Sequence, residues 1–227
     1  MQSLETTLYS YSKKNLVSLP HSYKWKFDTA VVLHSFNLNV NGQNWYEKTR
    51  VLKRCIANEW ASSPKQRIAL ADYAVRVWGG VKRNAAATIQ GYVETVSQGQ
   101  VPQTHKGIAS WSKVAAFSNP DQHAIFDARV SFSLNAIQML QGGVERWWFP
   151  HLAGRNKLLN ATWPLLKAQA DQQNWNRIQS TKVYSTYIEL LKVVATQLNV
   201  GIDDIEMLLF SKAEELAREV ETIANGH

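Results

Sequence analysis

Lys113 and Asp127 lie on either side of an Asn-Pro-Asp break in SWSKVAAFSNPDQHAIFDARV, residues 110–130. A lysine held neutral is a nucleophile that can attack an electrophilic carbon and form a Schiff base. A carboxylate beside it can stabilise the positive charge growing on that carbon, or activate water. Burial and a cationic neighbour such as Arg129 would favour the neutral amine, whereas Asp127 would favour the ammonium. Spacing alone leaves ordinary roles open: an exposed lysine, and an aspartate that caps a helix. Ser112 beside Lys113 admits a serine–lysine pair, but no glycine-serine elbow accompanies it. His105 and His123 flank the stretch without a second ligand at metal spacing, so solvent or phosphate contact is expected of them and no metal.

The elements that must position these residues are helical. Pro64 suits the first turn of a helix over 64–78, where Ile68, Ala71, Val75 and Trp78 recur at helical spacing before Gly79-Gly80 ends it. A second helix is expected over 81–97, then a breaker-rich loop, SQGQVPQTHKG. A short helix from Ile108 must stop at Ser118-Asn119-Pro120, and another runs from Phe126 or Asp127 to about Leu140, before Gly142-Gly143. Further helices are expected over 144–149, 155–170, 174–199 and 203–223. The segment 27–40 reads equally as a strand or as a helix and loop. The chain is therefore expected to be mostly α, one domain over residues 1–227, with no internal repeat.

Composition narrows the partners. With 25 Lys and Arg against 18 Asp and Glu, the net charge is +7 and the pI near 9.5. Such a surplus favours a polyanion such as nucleic acid, or simply confers solubility. Lys48, Arg50, Lys53 and Arg54 read as a solvated helix face or a phosphate-contacting one. A single cysteine, Cys55, excludes an internal disulfide and any Cys-based metal cluster, and fits a reducing cytoplasm. No apolar run is long enough for a membrane span, and MQSLETTLYSYSKK lacks the apolar core of a secretory signal. The nine tryptophans read mainly as packing, with one or two as stacking platforms; Arg146-Trp147-Trp148 with His151 reads as a buried tryptophan pair at a helix junction in preference to an aromatic and basic surface against DNA.

HKGIASWSKVAAF followed by NPDQHAIFDARVSFSLNAI resembles the signature of the helix-hairpin-helix DNA glycosylases, with Gly107-Ile108-Ala109 at the hairpin turn and Ala109 where the second glycine usually stands. Carried over by position, the resemblance implies that Lys113 is the lysine nucleophile and Asp127 the essential aspartate, and that His105, Lys106, Gly107 and Arg129 contact DNA. GGVKRNAAATIQGYVETV, 79–96, resembles the loop and helix with which 8-oxoguanine glycosylases meet the gap left by a flipped nucleotide, making Lys82, Arg83 and Asn84 candidates to probe it. IDDIEMLLFSKAEEL, 202–216, resembles the helix bordering the base pocket, with Phe210 and Trp111 as pocket residues. The resemblance covers about 64–216, with 105–130 as its hairpin region. It implies a two-lobed helical fold with the active site between the lobes, no cofactor, and cleavage of the N-glycosidic bond of a modified or damaged base in double-stranded DNA, with or without strand cleavage by a lyase step. The small, single-cysteine form is also similar to prokaryotic glycosylases that act against phage DNA with modified cytosines. Two other classes remain open: a non-enzymatic DNA-binding module that uses the same hairpin for phosphates, and a helical protein-interaction domain.

Overall fold

A computed structural model describes residues 2–225, and these are mostly helical. The elements in chain order are α1 (Gln2–Asn15), α2 (Leu19–Ser22), α3 (Thr29–Phe36), α4 (Trp45–Ser62) and α5 (Arg67–Asp72), which runs on as a π-helical turn, Tyr73–Trp78. Then come α6 (Ala86–Ser97), α7 (Ile108–Ser118), α8 (Ala128–Gln141), β1 (Trp147–Trp148), α9 (Lys157–Gln172), β2 (Asn176–Arg177), α10 (Val183–Leu198) and α11 (Ile202–Asn225). No helix among the described residues is long and apolar enough to cross a membrane.

Local chemistry sets the boundaries. Asn44 and Glu47 form a capping box at α4: Glu47 N donates to Asn44 Oδ1 at 2.9 Å, and Gln43 N donates to Glu47 Oε2 at 2.8 Å. Asp28 caps α3 by accepting from Ala30 N at 2.9 Å, which resolves the ambiguous 27–40 segment as a helix. Gly107, at φ +74°, turns the chain into α7, and Gly142, at φ +76°, ends α8.

Three expected helices need correction. Residues 81–85 form a turn, and α6 begins only at Ala86. The segment 144–149 is not helical: Trp147-Trp148 pairs in parallel with Asn176-Arg177. Side chains of α8 hold it extended, because Asn135 Nδ2 donates to Phe149 O at 2.9 Å and Phe149 N returns a bond to Asn135 Oδ1 at 3.0 Å. Gln138 makes the same reciprocal pair with the backbone of Trp147, at 2.9 and 2.8 Å. These amides stand in for a strand partner and leave no backbone donor wasted. Finally, α10 begins at Val183 and not at residue 174, since Asn176-Arg177 is spent on the ladder.

Apolar side chains gather into two buried clusters. One joins α1, α8, β1, α9, α10 and α11, with Phe132, Leu134, Phe149, Tyr187 and Leu209 at its centre. The other joins α3, α4, α5, the π-turn and α6 around Val32, Leu52, Ile56 and Val75. α7 serves both: Ile108, Trp111 and Ala115 face the first cluster, Val114, Ala116 and Phe117 the second. α8 is buried along its whole centre, from Val130 to Gln138, and packs most extensively on α11. Its buried polar side chains, Ser131, Ser133, Asn135 and Gln138, are all spent on backbone hydrogen bonds, which is what burial of a polar group requires.

Candidate active site

Lys113 sits in the middle of α7 and is buried, with 6% of its surface exposed. Its Nζ donates to Ala109 O, one turn back, at 2.7 Å. Gly79, which follows the π-turn, makes this possible: a Cβ there would fall 2.7 Å from Lys113 Cδ, 2.8 Å from its Cε and 2.8 Å from Val75 O. The π-turn is closed by Gly79 N donating to Ala74 O at 3.1 Å, and such turns re-aim backbone at functional positions. Gly79 is thus required for space, since its φ of −80° suits any residue.

Asp127 is the N-cap of α8. Its Oδ1 accepts from Arg129 N at 2.9 Å and Val130 N at 3.1 Å. Its Oδ2 accepts no hydrogen bond from the described residues, so the side chain is anchored by one oxygen and offers the other. The segment leading to it has no secondary-structure partner and is held by hydroxyls: Tyr184 Oη donates to Ala124 O at 3.0 Å, Tyr187 Oη to Ile125 O at 2.8 Å, and Phe126 N donates to Ser112 Oγ at 3.0 Å. Ser112 is therefore a structural tie between α7 and the Asp127 segment.

Charge around Lys113 pulls in two directions. Burial pushes its amine below the ordinary lysine value, while the carboxylates of Asp127 and Glu206 pull it back up; burial prevails. Glu206, on α11, is itself buried and accepts from Lys53 Nζ of α4 at 2.6 Å. Burial pushes its carboxyl up to about 7 against the lowering effect of Lys53, with Asp127 and Asp203 adding to the rise. Tyr23 is buried beside both acids: burial first, then Glu206 and Asp127, hold its hydroxyl well above the usual phenol range. Lys113, Glu206, Lys53 and Tyr23 are buried and, with the half-buried Asp127, form one electrostatic group.

Aromatic rings close over it. Trp78, just before Gly79, packs against Phe117 at 5.0 Å and Trp25 at 5.7 Å. Trp25 packs edge-on to Phe210 at 5.5 Å and donates its Nε1 to Trp78 O at 3.2 Å. The Trp78 Nε1 is buried with no hydrogen-bond partner among the described residues, an unspent donor. Arg129 lies over Phe210 at 5.0 Å and is ion-paired with Glu214 at 2.6 Å.

Of the residues picked out from sequence, Lys113, Asp127, Arg129 and Phe210 come together here. Asn84 is tethered close by: its Nδ2 donates to Ser110 Oγ at 2.9 Å and its carbonyl accepts from Arg76 at 2.6 Å. Lys82 and Arg83 are exposed in the turn before it. Gly107 and Lys106 lie at the entrance to α7, and His105 meets Ser180 Oγ at 3.1 Å. Trp111 stands apart, because two positions along a helix rotate a side chain by about 200° from Lys113. It is core, with its Nε1 donating to Thr95 Oγ1 at 3.0 Å and its ring edge-on to Tyr184 at 4.8 Å. His123 packs on Trp111 and Tyr184 and is half-buried, not a solvent-facing contact. The expected solvated face of α4 is corrected as well: Lys53 is buried on Glu206, Arg50 bridges Asp203 and Asp204 at 3.5 and 3.4 Å, and of that cluster Arg54 alone is exposed, Lys48 and Arg50 being half-buried.

Sequence reasoning did not find Gly79, Glu206, Tyr23 or Trp25 as site residues, and it placed Lys53 on a solvated or phosphate-contacting face. Gly79-Gly80 reads as a helix stop and Asp203-Asp204 as a helix start, and both statements are locally true. Nothing local says that a glycine is making room for a lysine. No group of three or more His, Cys, Asp or Glu side chains among the described residues is placed to hold a metal ion. No protein-family model matches the chain, and comparison with curated proteins and with solved structures gives no match.

Proposed function

We propose that this chain is a DNA N-glycosylase that receives a modified or damaged base extruded from a duplex and breaks its glycosidic bond. One observation carries the reading: a buried lysine whose amine burial holds down lies on a helix that Ser112 ties, through Phe126 N at 3.0 Å, to the segment ending in a helix-capping carboxylate with one uncommitted oxygen. That pairing suits attack on a sugar carbon that becomes positive as its base departs. On this reading the two apolar clusters are the two lobes of a helix-hairpin-helix glycosylase, and Lys113 acts from the helix they share.

The Nζ lone pair forms a bond to C1′ while the C1′–N bond breaks, its electron pair leaving with the base, which takes up a proton. Asp127 faces the positive charge on the sugar through this step. A proton passes from Nζ of the adduct to O4′ as the C1′–O4′ bond breaks with its electron pair going to O4′, which opens the sugar ring to a protonated Schiff base. Water then hydrolyses it, or loss of a C2′ proton expels the 3′ phosphate. Extruding the base costs roughly a few kcal/mol of stacking and pairing, which contacts to the rings and the backbone must offset.

The test is to incubate the protein with duplexes carrying oxidised guanine and with phage DNA containing modified cytosine, assay abasic sites and trap adducts with borohydride. Abasic sites are expected with wild type, with the trapped adduct lost in Lys113→Ala. Release is expected to fall by at least about a hundredfold in Asp127→Asn, a change that keeps a good N-cap. Full base release by Asp127→Asn would rule the mechanism out. Salt-sensitive DNA binding with no product on any substrate would assign the chain to the binding-module class.

A further inference from the structure

Five exposed cations are carried by the segments around the Lys113–Asp127 site, and three of them come from segments that no local motif marks. The strap 23–28 carries Lys24 and Lys26 on either side of Trp25, whose bond to Trp78 O seats that strap against Gly79. The turn after Gly80 carries Lys82 and Arg83. The loop before α9 carries Arg155, whose guanidinium donates to Gly80 O at 3.3 Å. That loop also abuts the start of α8, since a Cβ on Gly154 would fall 2.9 Å from the Ala128 Cβ. The strap and the loop before α9 are therefore drawn toward the turn after Gly80 by contacts with Trp78, Gly80 and Ala128, next in the chain to Gly79 and Asp127. None of the five cations has an ion pair among the described residues, whereas Arg50, Lys53, Arg76 and Arg129 all do. Asp72 is paired with Arg76 and Glu214 with Arg129, while Asp28, the one acid on the strap, is exposed and caps α3 through Ala30 N.

We infer that Lys24, Lys26 and Arg155 complete, with Lys82 and Arg83, a phosphate-binding rim that holds the backbone of duplex DNA across the mouth of the site. The inference rests on the glycosylase reading for the choice of duplex DNA over other polyanions. Unpaired cations at a site entrance suit phosphates. The partly exposed rings of Trp25 and Phe210 inside the rim suit an unstacked base, which a lipid headgroup would not need.

The experiment measures binding of the full chain to a fluorescent 20-base-pair duplex of ordinary bases over a range of salt concentrations. Because no base is excised, the outcome does not depend on whether the chain is a glycosylase, which the abasic-site assay decides separately. The triple variant K24Q/K26Q/R155Q is compared with K13Q/K14Q/K192Q, which removes three charges from α1 and α10. Each phosphate contact contributes about 0.9 to the slope of log affinity against log salt, so the first variant is expected to lose roughly 2–3 from that slope and the second close to none. Equal losses in the two variants, or an unchanged slope in the first, would overturn the rim. So would tighter binding to anionic phosphatidylserine vesicles than to the duplex.

Discussion

At the scale of single residues, the chemistry depends on how burial and charge compete at Lys113. A lysine whose folded pKa is lowered binds fewer protons folded than unfolded, so below its folded pKa it costs stability, and that cost fades as pH rises toward the ordinary value near 10.5. Lys113→Met fills similar space with no charge, and is expected to stabilise the protein most at neutral pH and progressively less toward pH 10. Urea unfolding of both proteins across that range measures the gap; a gap independent of pH would mean that Lys113 is not held toward the neutral form. Asp127 shows why a bland role and a sharp one coexist in one side chain. Capping α8 uses Oδ1 and fixes the carboxylate, and that rigidity is what a charge-stabilising group needs.

At the scale of elements, the site depends on a turn, a cap and a row of hydroxyls more than on any helix as such. The π-turn delivers Gly79 against the Lys113 methylenes, and the three hydroxyls of Ser112, Tyr184 and Tyr187 hold the chain that delivers Asp127. Gly79→Ala places a methyl on both the lysine stem and a backbone carbonyl, and overpacking of this kind costs about 1–3 kcal/mol. The same change is expected to reduce borohydride trapping, because the amine must shift. In a Lys113→Ala background the lysine part of the clash is gone and the stability cost should shrink, a coupling that a double-mutant cycle of urea unfolding reads directly. Identical costs in both backgrounds would place the strain entirely on Val75 O.

At the scale of the whole molecule, Lys53 and Glu206 tie the two apolar clusters together, since α4 belongs to one and α11 to the other. Removing one partner strands a buried charge at a cost of about 3–5 kcal/mol, whereas replacing both with apolar residues is often neutral or stabilising. Glu206→Leu is therefore expected to destabilise strongly and Lys53→Met/Glu206→Leu to recover most of the loss. A carboxyl raised to about 7 in the folded state favours folding fully below its ordinary value of 4.5, and that advantage is lost as pH rises through 7. The double variant should lack this decline, which thermal unfolding between pH 4 and 8 would detect. A double variant as unstable as Glu206→Leu alone would mean that the site needs the pair itself.

The amino-acid sequence by itself determined that the chain is mostly helical, where α7 and α8 begin and end, and that a lysine and an aspartate stand at those two elements. These features follow from periodicity, from Gly107, Pro120 and Gly142, and from an aspartate at a helix start, all of which act within a few residues. Only the tertiary structure decided that Lys113 is buried, that Trp111 points away from it, that Trp147-Trp148 is a strand held by Asn135 and Gln138, and that Lys53 and Arg50 are paired with acids more than a hundred residues away. Burial, ion pairing and the room that Gly79 leaves depend on which surfaces meet in space. Those meetings are set by the packing of whole helices, and no local pattern records them.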